Sequence, residues 1–281
     1  MSFLTLNNGN GIYYELHGDA ERTVMMIHGL GGGGMFWEPH IEPLVSAGWR
    51  VLIADWPGNC RSGDTVTEFS LEMLAGAFEE LAERTGVLGR PVVICGHSAG
   101  GVLAQMIYHH APEKVAGLVL LQTSARFMDK RLLPVVNTVM PAYLSVAFSP
   151  AAMGAAAVAI EAARFCGGLV FGKTHPAIIL ADIGVYATRN KNIAAETAAF
   201  ANVDLDDRLC NIRVPALVVG SRVDQVVPLS RVRALHAGIP GAELQIIERF
   251  GHNAALFHAG ETNAVMLDFL RRRFPESQPG I

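Results

Sequence analysis

The run Gly96-His97-Ser98-Ala99-Gly100 carries the clearest chemical signal in this chain. It fits the G-x-S-x-G pattern, in which a sharp turn between a strand and a helix presents the serine hydroxyl. The flanking sequence supports that geometry, because Pro91 to Cys95 is apolar enough for a buried strand and apolar residues recur at helical spacing from Val102. We therefore predict that Ser98 is a nucleophile.

A serine hydroxyl needs an adjacent base, and an imidazole serves best when a carboxylate holds its tautomer. Among the ten histidines, His252 lies in a loop between the last predicted strand and the last predicted helix. Asp224 likewise follows a predicted strand, and the order Ser, Asp, His is the one that accompanies this type of turn. An acid could also follow the strand ending near Gln122, but no carboxylate is present there. We predict that Asp224 orients His252 and that His252 is the base.

A glycine-rich turn, His28 to Gly34, follows the apolar run Val24 to Ile27. Glycines let backbone N–H groups approach a substrate oxygen closely, so we predict an oxyanion hole formed by the N–H groups of Leu30 and Ala99. The four cysteines form no Cys-x-x-Cys pair, and we expect neither a metal nor an organic cofactor.

Short apolar runs alternate with helical stretches through most of the chain, which predicts an α/β fold with a mostly parallel eight-stranded sheet and helices on both faces. An Asn/Gly-rich turn makes the first two runs a hairpin. The predicted strands are Phe3 to Leu6, Ile12 to His17, Val24 to Ile27, Val51 to Ala54, Val92 to Cys95, Val115 to Leu121, Ala216 to Val219 and Leu244 to Ile247. The predicted helices lie near 70 to 85, with Ser70 as N-cap, and near 99 to 110, 229 to 237 and 257 to 272.

One segment interrupts the alternation, because residues 124–207 contain no convincing strand and are rich in alanine and methionine. We predict a helical lid there, inserted into a core formed by residues 1–123 and 208–281. The lid and the residues near the glycine turn suggest an apolar pocket for a hydrophobic small molecule. The candidate pocket residues are Phe36, Trp37, Met140, Met153, Phe165 and Val226.

The composition and charge of the chain limit which binding partners are expected. Apolar residues make up 51% of the chain, and a net charge of −4 with no basic stripe argues against nucleic acid. The first residues lack the features of a secretory signal, so we expect a cytoplasmic protein. Residues 132–160 carry no charge, but Pro134, Pro141 and Pro150 favour short broken helices over a membrane span. The choice between monomer and homodimer stays open.

With these motifs in order, the chain resembles the α/β-hydrolase superfamily, in particular lidded members with an HG-x-G turn. The run Asp55-Trp56-Pro57-Gly58-Asn59-Cys60-Arg61-Ser62 resembles the family's D-x-P-G-x-G-x-S loop, with Cys60 in place of a glycine. The resemblance implies a serine hydrolase that cleaves a carboxylic ester or lactone with an apolar acyl part through an acyl-enzyme. The same residues could also support carbon–carbon bond hydrolysis, acyl transfer or a lyase reaction.

Three other interpretations compete. Gly29, Gly31 and Gly34, with Asp55 after the next strand, fit a dinucleotide-binding fingerprint and would predict an NAD-dependent oxidoreductase, although Pro39 and Pro43 interrupt the helix it requires. The run Gly167 to Thr174 formally matches a P-loop but lacks a preceding strand, so we interpret it as chance. A non-catalytic small-molecule receptor would keep the pocket without turnover.

Overall fold

The protein is described by a computed structural model that covers residues 2–126 and 190–275. Eight strands form one sheet in the order β1-β2-β4-β3-β5-β6-β7-β8. The first hairpin is antiparallel and joins β4 antiparallel, whereas every other neighbouring pair is parallel. The predicted eight-stranded, mostly parallel sheet is confirmed. The strands are β1 Ser2–Thr5, β2 Gly11–His17, β3 Thr23–Ile27, β4 Arg50–Ala54, β5 Val92–His97, β6 Val115–Leu121, β7 Ala216–Ser221 and β8 Glu243–Ile247.

The helices of the described residues flank this sheet, and the four predicted ones are present within three residues of their expected ends. Ser70 is confirmed as the N-cap of the helix Leu71–Arg84, because its Oγ accepts a hydrogen bond from the Met73 N–H at 3.0 Å. The helices are α1 Glu38–Ser46, α2 Leu71–Arg84, α3 Ala99–His110, α4 Ile193–Ala201, α5 Leu229–Gly238, α6 Ala254–Phe257 and α7 Ala259–Arg273.

Helix α1 forms despite its two prolines, so the expectation that they interrupt this segment is wrong. Pro39 lies in the first turn, where a missing N–H costs nothing. Pro43 lies inside the helix and cannot donate to the carbonyl four residues earlier, that of Pro39. The side chain of Asn263, on α7, donates to that carbonyl instead at 3.0 Å. A residue distant in sequence thus compensates for the local defect.

The sheet is covered by apolar residues on both faces, which explains why its strands are almost uniformly hydrophobic. Along β5, Val92 and Ile94 pack into the cluster beneath α2 and α3, whereas Val93 and Cys95 pack into the cluster beneath α1 and α7. All four side chains are buried. This two-sided burial holds the carboxyl end of β5 rigidly in the molecule.

The two ends of the predicted lid meet at the sheet. Arg126 and Asp204 form an isolated β-bridge, and the Leu205 N–H donates to the Ala125 carbonyl at 2.9 Å. The intervening residues, with the pocket candidates Met140, Met153 and Phe165 and the formal P-loop match, lie outside the described residues. Within residues 2–126 and 190–275, no helix is long and apolar enough to cross a membrane.

A buried polar cluster fixes α4 to the loop after β4. Glu196 Oε1 accepts hydrogen bonds from Asn59 at 2.9 Å and from Asn190 at 3.0 Å, and Asn190 also donates to the Asn59 side chain. Glu196 is fully buried. Burial raises the pKa of the Glu196 carboxyl, and the hydrogen bonds from the two asparagines only partly oppose that effect. The carboxyl therefore binds its proton more tightly in the folded protein than in the unfolded chain.

We expect the free energy of unfolding to fall as pH rises from the ordinary glutamate pKa through the raised pKa of Glu196, because the folded state must then lose a proton it holds tightly. Glu196→Gln keeps an uncharged acceptor and should flatten this part of the pH dependence. Urea unfolding at a series of pH values measures it, with the exposed Glu68→Gln as the control. If the free energy of unfolding depended on pH identically in wild type and in Glu196→Gln, the raised pKa assigned to Glu196 would be contradicted.

Candidate active site

Ser98 occupies a single-residue turn between β5 and α3, with φ 54° and ψ −123°. Close packing explains why glycines surround it. A Cβ on Gly96 would lie 2.3 Å from the Gly100 carbonyl oxygen, and a Cβ on Gly100 would lie 2.2 Å from the carbonyl oxygen of Ile27. Only glycine lets the strand, the turn and the helix approach this closely.

Positive φ angles occur at four non-glycine residues of the described chain: Cys60, Ser98, Gln122 and Phe250. Each follows a strand at the carboxyl edge of the parallel sheet, after β4, β5, β6 and β8 respectively. Non-glycine residues in this region of backbone space are strained by about 1–3 kcal/mol each and persist only where their surroundings determine them.

Gly100→Ala is expected to lower the free energy of unfolding by about 1–3 kcal/mol, because its Cβ would meet backbone that cannot move aside. Gly76 is the matched control, since it lies inside α2 and a Cβ added there would meet nothing within 4 Å. Gly76→Ala should stabilise the protein by about 0.5–1 kcal/mol. Chemical denaturation measures both, and equal effects of the two substitutions would contradict the packing argument.

A histidine and a carboxylate stand next to Ser98. His252 Nε2 lies 2.7 Å from Ser98 Oγ, and His252 Nδ1 lies 3.0 Å from Asp224 Oδ2. The other carboxylate oxygen, Oδ1, accepts the N–H groups of Val226 and Val227 at 2.8 and 2.9 Å. The structure therefore brings the three predicted residues together in one hydrogen-bonded chain.

The charge on Asp224 is stabilised by its partners. Burial alone would raise the pKa of its carboxyl, but the hydrogen bonds from His252 and from the backbone at Val227 and Val226 outweigh burial and lower that pKa. A carboxylate at Nδ1 requires the proton of His252 to be on Nδ1. Nε2 is then the acceptor that faces the Ser98 hydroxyl.

The glycine turn lies directly against Ser98. A Cβ on Gly29 would be only 3.1 Å from Ser98 Cβ, and the Gly32 N–H donates to the Gly29 carbonyl at 2.9 Å, which closes the turn. Leu30 lines the same cavity as Ser98. Ala99 is the first residue of α3, so its N–H has no acceptor within the helix.

His28 holds the base of this turn. Its Nδ1–H donates to the Gly29 carbonyl at 2.8 Å, and its Nε2 accepts the Trp56 N–H at 3.1 Å. Only the neutral imidazole with its proton on Nδ1 satisfies both partners. Burial lowers the pKa of His28 to about 4, which keeps the ring neutral. His28 ties the turn to the loop after β4.

Asp55 is fully buried and engaged within the protein, which excludes the dinucleotide interpretation. Its Oδ1 accepts the Gly34 N–H at 2.5 Å, and its Oδ2 accepts Arg61 Nε–H at 2.7 Å. Arg61 in turn pairs with Glu15 at 2.7 Å. The carboxylate that would bind a ribose therefore holds the glycine turn instead, and the turn opens into a 3₁₀ segment rather than directly into a helix.

Cys60 replaces the glycine of the family's loop and adopts the left-handed conformation that such a glycine favours, with φ 43°. Its thiol donates to the Gly32 carbonyl at 3.2 Å, so it packs behind the glycine turn. Burial raises the pKa of the Cys60 thiol. It is therefore a neutral packing group and not a thiolate nucleophile.

A cavity of about 260 Å³ contains these groups. Phe36 lines it as predicted, whereas Trp37 is 0% exposed and packs in the core against the edge of Phe36, with ring centroids 5.0 Å apart. Val226 is 58% exposed, and its N–H donates to Asp224 Oδ1. The pocket role predicted for Trp37 is thus corrected, whereas that of Val226 stays a prediction. The described lining is His28, Gly29, Leu30, Gly32, Phe36, His97, Ser98, His252 and Asn253.

His97 and Asn253 are lining residues that sequence reasoning did not single out. Both stand next to a predicted catalytic residue, so their positions beside Ser98 and His252 were the available signal. Within the part of the chain that the structure describes, no group of three His, Cys, Asp or Glu side chains is arranged to hold a metal ion.

Known proteins are similar to this chain in sequence and in fold. The family model for the alpha/beta hydrolase fold matches residues 22–161. A putative carbamate hydrolase RutD from Rhizobium rhizogenes is 30% identical over 93% of this chain and 98% of its own length. A 2-hydroxy-6-oxononadienedioate/2-hydroxy-6-oxononatrienedioate hydrolase from Cupriavidus pinatubonensis is 29% identical over 95% of this chain and 94% of its own. The crystal structure of an enol-lactonase from Burkholderia xenovorans superposes with a TM-score of 0.72 at 21% identity, covering 96% of this chain and 99% of that one.

A serine at a strand-to-helix turn, facing a histidine at the edge of a mostly parallel eight-stranded sheet, defines a class of hydrolytic enzymes with this fold. The chain belongs to the α/β-hydrolase superfamily. It is a hydrolase, and the resemblance first drawn from its motifs is confirmed.

Proposed function

We propose that this hydrolase cleaves a carboxylic ester or lactone with an apolar acyl part, and that Ser98 is its nucleophile. The observation that carries the proposal is the 2.7 Å contact between Ser98 Oγ and His252 Nε2, the latter being the unprotonated nitrogen. A hydroxyl becomes an effective nucleophile when a base at this distance accepts its proton. Asp224 fixes the orientation of that base through Nδ1.

The reaction proceeds in two halves. Ser98 Oγ attacks the carbonyl carbon while His252 takes its proton, and the N–H groups of Leu30 and Ala99 hold the developing oxyanion. His252 then protonates the leaving oxygen, which leaves the acyl group on Ser98. In the second half, His252 takes a proton from water, the resulting hydroxide attacks the acyl carbonyl, and the acid departs as Ser98 regains its proton.

The described walls of the cavity favour an apolar acyl group. Leu30 and Phe36 contribute hydrophobic surface beside Ser98, and burial keeps His28 and His97 neutral. An uncharged molecule with an apolar part beside Leu30 and Phe36 fits this lining better than a charged one. We further propose that residues 124–207 form a lid that completes the pocket, since its two ends meet beside β6 at Ala125 and Leu205.

Carbon–carbon bond hydrolysis is the second candidate, because a relative that matches along nearly the whole chain bears the name of a hydrolase of an oxo-dienoic diacid. A third candidate is carbamate cleavage, which the name of another relative states. The same serine, base and oxyanion donors can serve all three reactions. Turnover of a matched ester, a carbamate and a vinylogous diketone with the same acyl part ranks the candidates directly.

Fluorophosphonate labelling tests the proposed nucleophile. Wild type should acquire one phosphonyl group, located by mass spectrometry on the peptide that contains Ser98, and should hydrolyse para-nitrophenyl esters at rates that depend on acyl length. Ser230→Ala is the matched control, since Ser230 is an exposed serine on α5, and it should label like wild type. Labelling at another serine, or no labelling with no ester turnover, would refute the proposal.

A further inference from the structure

His97, the residue before Ser98, contacts the loop that carries the base. Its Nε2 lies 2.9 Å from the backbone carbonyl oxygen of His252. A carbonyl oxygen can only accept, so the proton of the His97 ring is on Nε2 and the ring donates to this carbonyl. The residue adjacent to the nucleophile is therefore hydrogen-bonded to the backbone of the residue that activates it.

The ring of His97 is held between the two halves of the site. It stacks on Phe36 with ring centroids 4.5 Å apart and an interplanar angle of 25°, and it lies 5.0 Å from the His252 ring. A Cβ on Gly29 would come within 3.3 Å of His97 Nδ1. Only 4% of the residue is exposed. The ring has little freedom to change its position, so its hydrogen bond defines where the His252 backbone lies.

The His97 ring is also uncharged. Burial lowers its pKa to about 3 and the charges of His252 and His40 lower it further, whereas the hydrogen bond to the His252 carbonyl and the charge of Asp224 oppose that lowering. A neutral ring is required there, since a second positive charge about 5 Å from the base would oppose the imidazolium that forms during catalysis. His97 therefore donates a hydrogen bond without carrying a positive charge.

We propose that His97 is a positioning residue for His252: by anchoring the backbone carbonyl of the base, it holds Nε2 within reach of the Ser98 hydroxyl. This inference rests on the proposed function. Catalytic hydrogen bonds tolerate little displacement, and a shift of about 1 Å can lower a rate by about 10²-fold. His97 also lines the cavity, so a variant that keeps an aromatic ring at this wall is expected to change kcat more than KM.

Two substitutions separate the anchor from simple packing. His97→Phe keeps an aromatic ring against Phe36 but loses the donor, whereas His97→Gln places an amide N–H near the position of Nε2. We expect His97→Phe to lower kcat by about 10- to 100-fold with KM within about twofold, and His97→Gln to restore most of kcat.

His236 provides a matched control, because its Nε2 also bonds a backbone carbonyl, that of Ala242 at 3.1 Å, on α5 away from the cavity. His236→Phe should leave kcat unchanged.

If His97→Phe does not fold, His97→Asn replaces it, since its shorter amide does not reach the carbonyl. The inference is overturned if the variant that lacks this hydrogen bond keeps the kcat of wild type, or if His97→Gln loses as much kcat as that variant. Fluorophosphonate labelling separates the two proposals: an unlabelled, inactive wild type refutes the function and this inference with it, whereas a labelled wild type with an unaffected His97→Phe refutes only the inference.

Discussion

Ser98→Ala is expected to lower kcat for ester hydrolysis by about 10⁴- to 10⁶-fold while the protein stays folded. The substitution removes only the oxygen that His252 Nε2 contacts at 2.7 Å. The backbone at φ 54° is equally strained with alanine, because both residues carry a Cβ. The proposed oxyanion donors are backbone groups and remain, so a small residual rate over water is expected.

Steady-state kinetics with a para-nitrophenyl ester, together with thermal unfolding followed by circular dichroism, checks this result. The melting temperature of Ser98→Ala should stay within a few degrees of that of wild type. If Ser98→Ala kept a tenth or more of the kcat of wild type in a preparation free of other esterases, the proposed acyl-enzyme would be ruled out.

Asp224→Asn is expected to lower kcat by about 10⁴-fold near neutral pH, although the side chain keeps its shape. The reason lies in the partners of the two oxygens. Asp224 Oδ1 accepts two backbone N–H groups, from Val226 and Val227, so the amide oxygen of the variant must occupy that side. The amide NH₂ then faces His252 Nδ1 and moves the imidazole proton to Nε2, where it can no longer accept the proton of Ser98.

Asp268→Asn is the control for this substitution, because Asp268 is an exposed carboxylate on α7 that pairs with Arg271 and Arg272. It should alter kcat by less than about twofold, since exposed ion pairs contribute little to the stability of the fold. A modest loss of kcat in Asp224→Asn, comparable to that of the control, would mean that the carboxylate does not orient the base. If the tautomer is lost, the rate of Asp224→Asn should stay low at every pH from 6 to 9.

Much of the fold could be predicted because its signals are local. The strands are continuous apolar runs, Ser70 is a local cap, and the turn at Ser98 requires glycines whose spacing is visible in the sequence. The order of Ser98, Asp224 and His252 also follows from the strands that precede them. Such features need no knowledge of partners that are distant along the chain.

The features that escaped prediction depend on distant contacts. Helix α1 contains Pro43, and Asn263 donates to the carbonyl that the proline leaves without a donor. Trp37 is adjacent to a cavity residue but lies one step further into the core. The contact between His97 and the His252 backbone joins residues 155 positions apart. No local pattern contains this information.

The four strained residues at the carboxyl edge of the sheet have a consequence for how this enzyme can evolve. Glycine would relieve the backbone at Cys60, Gln122 and Phe250, so selection for heat resistance can begin at these positions. The same relief at Ser98 would remove the hydroxyl of the proposed nucleophile. Among these four described residues, thermal adaptation and turnover therefore compete at Ser98 alone, and a lineage moving to a hotter habitat would be expected to change the other three turns first.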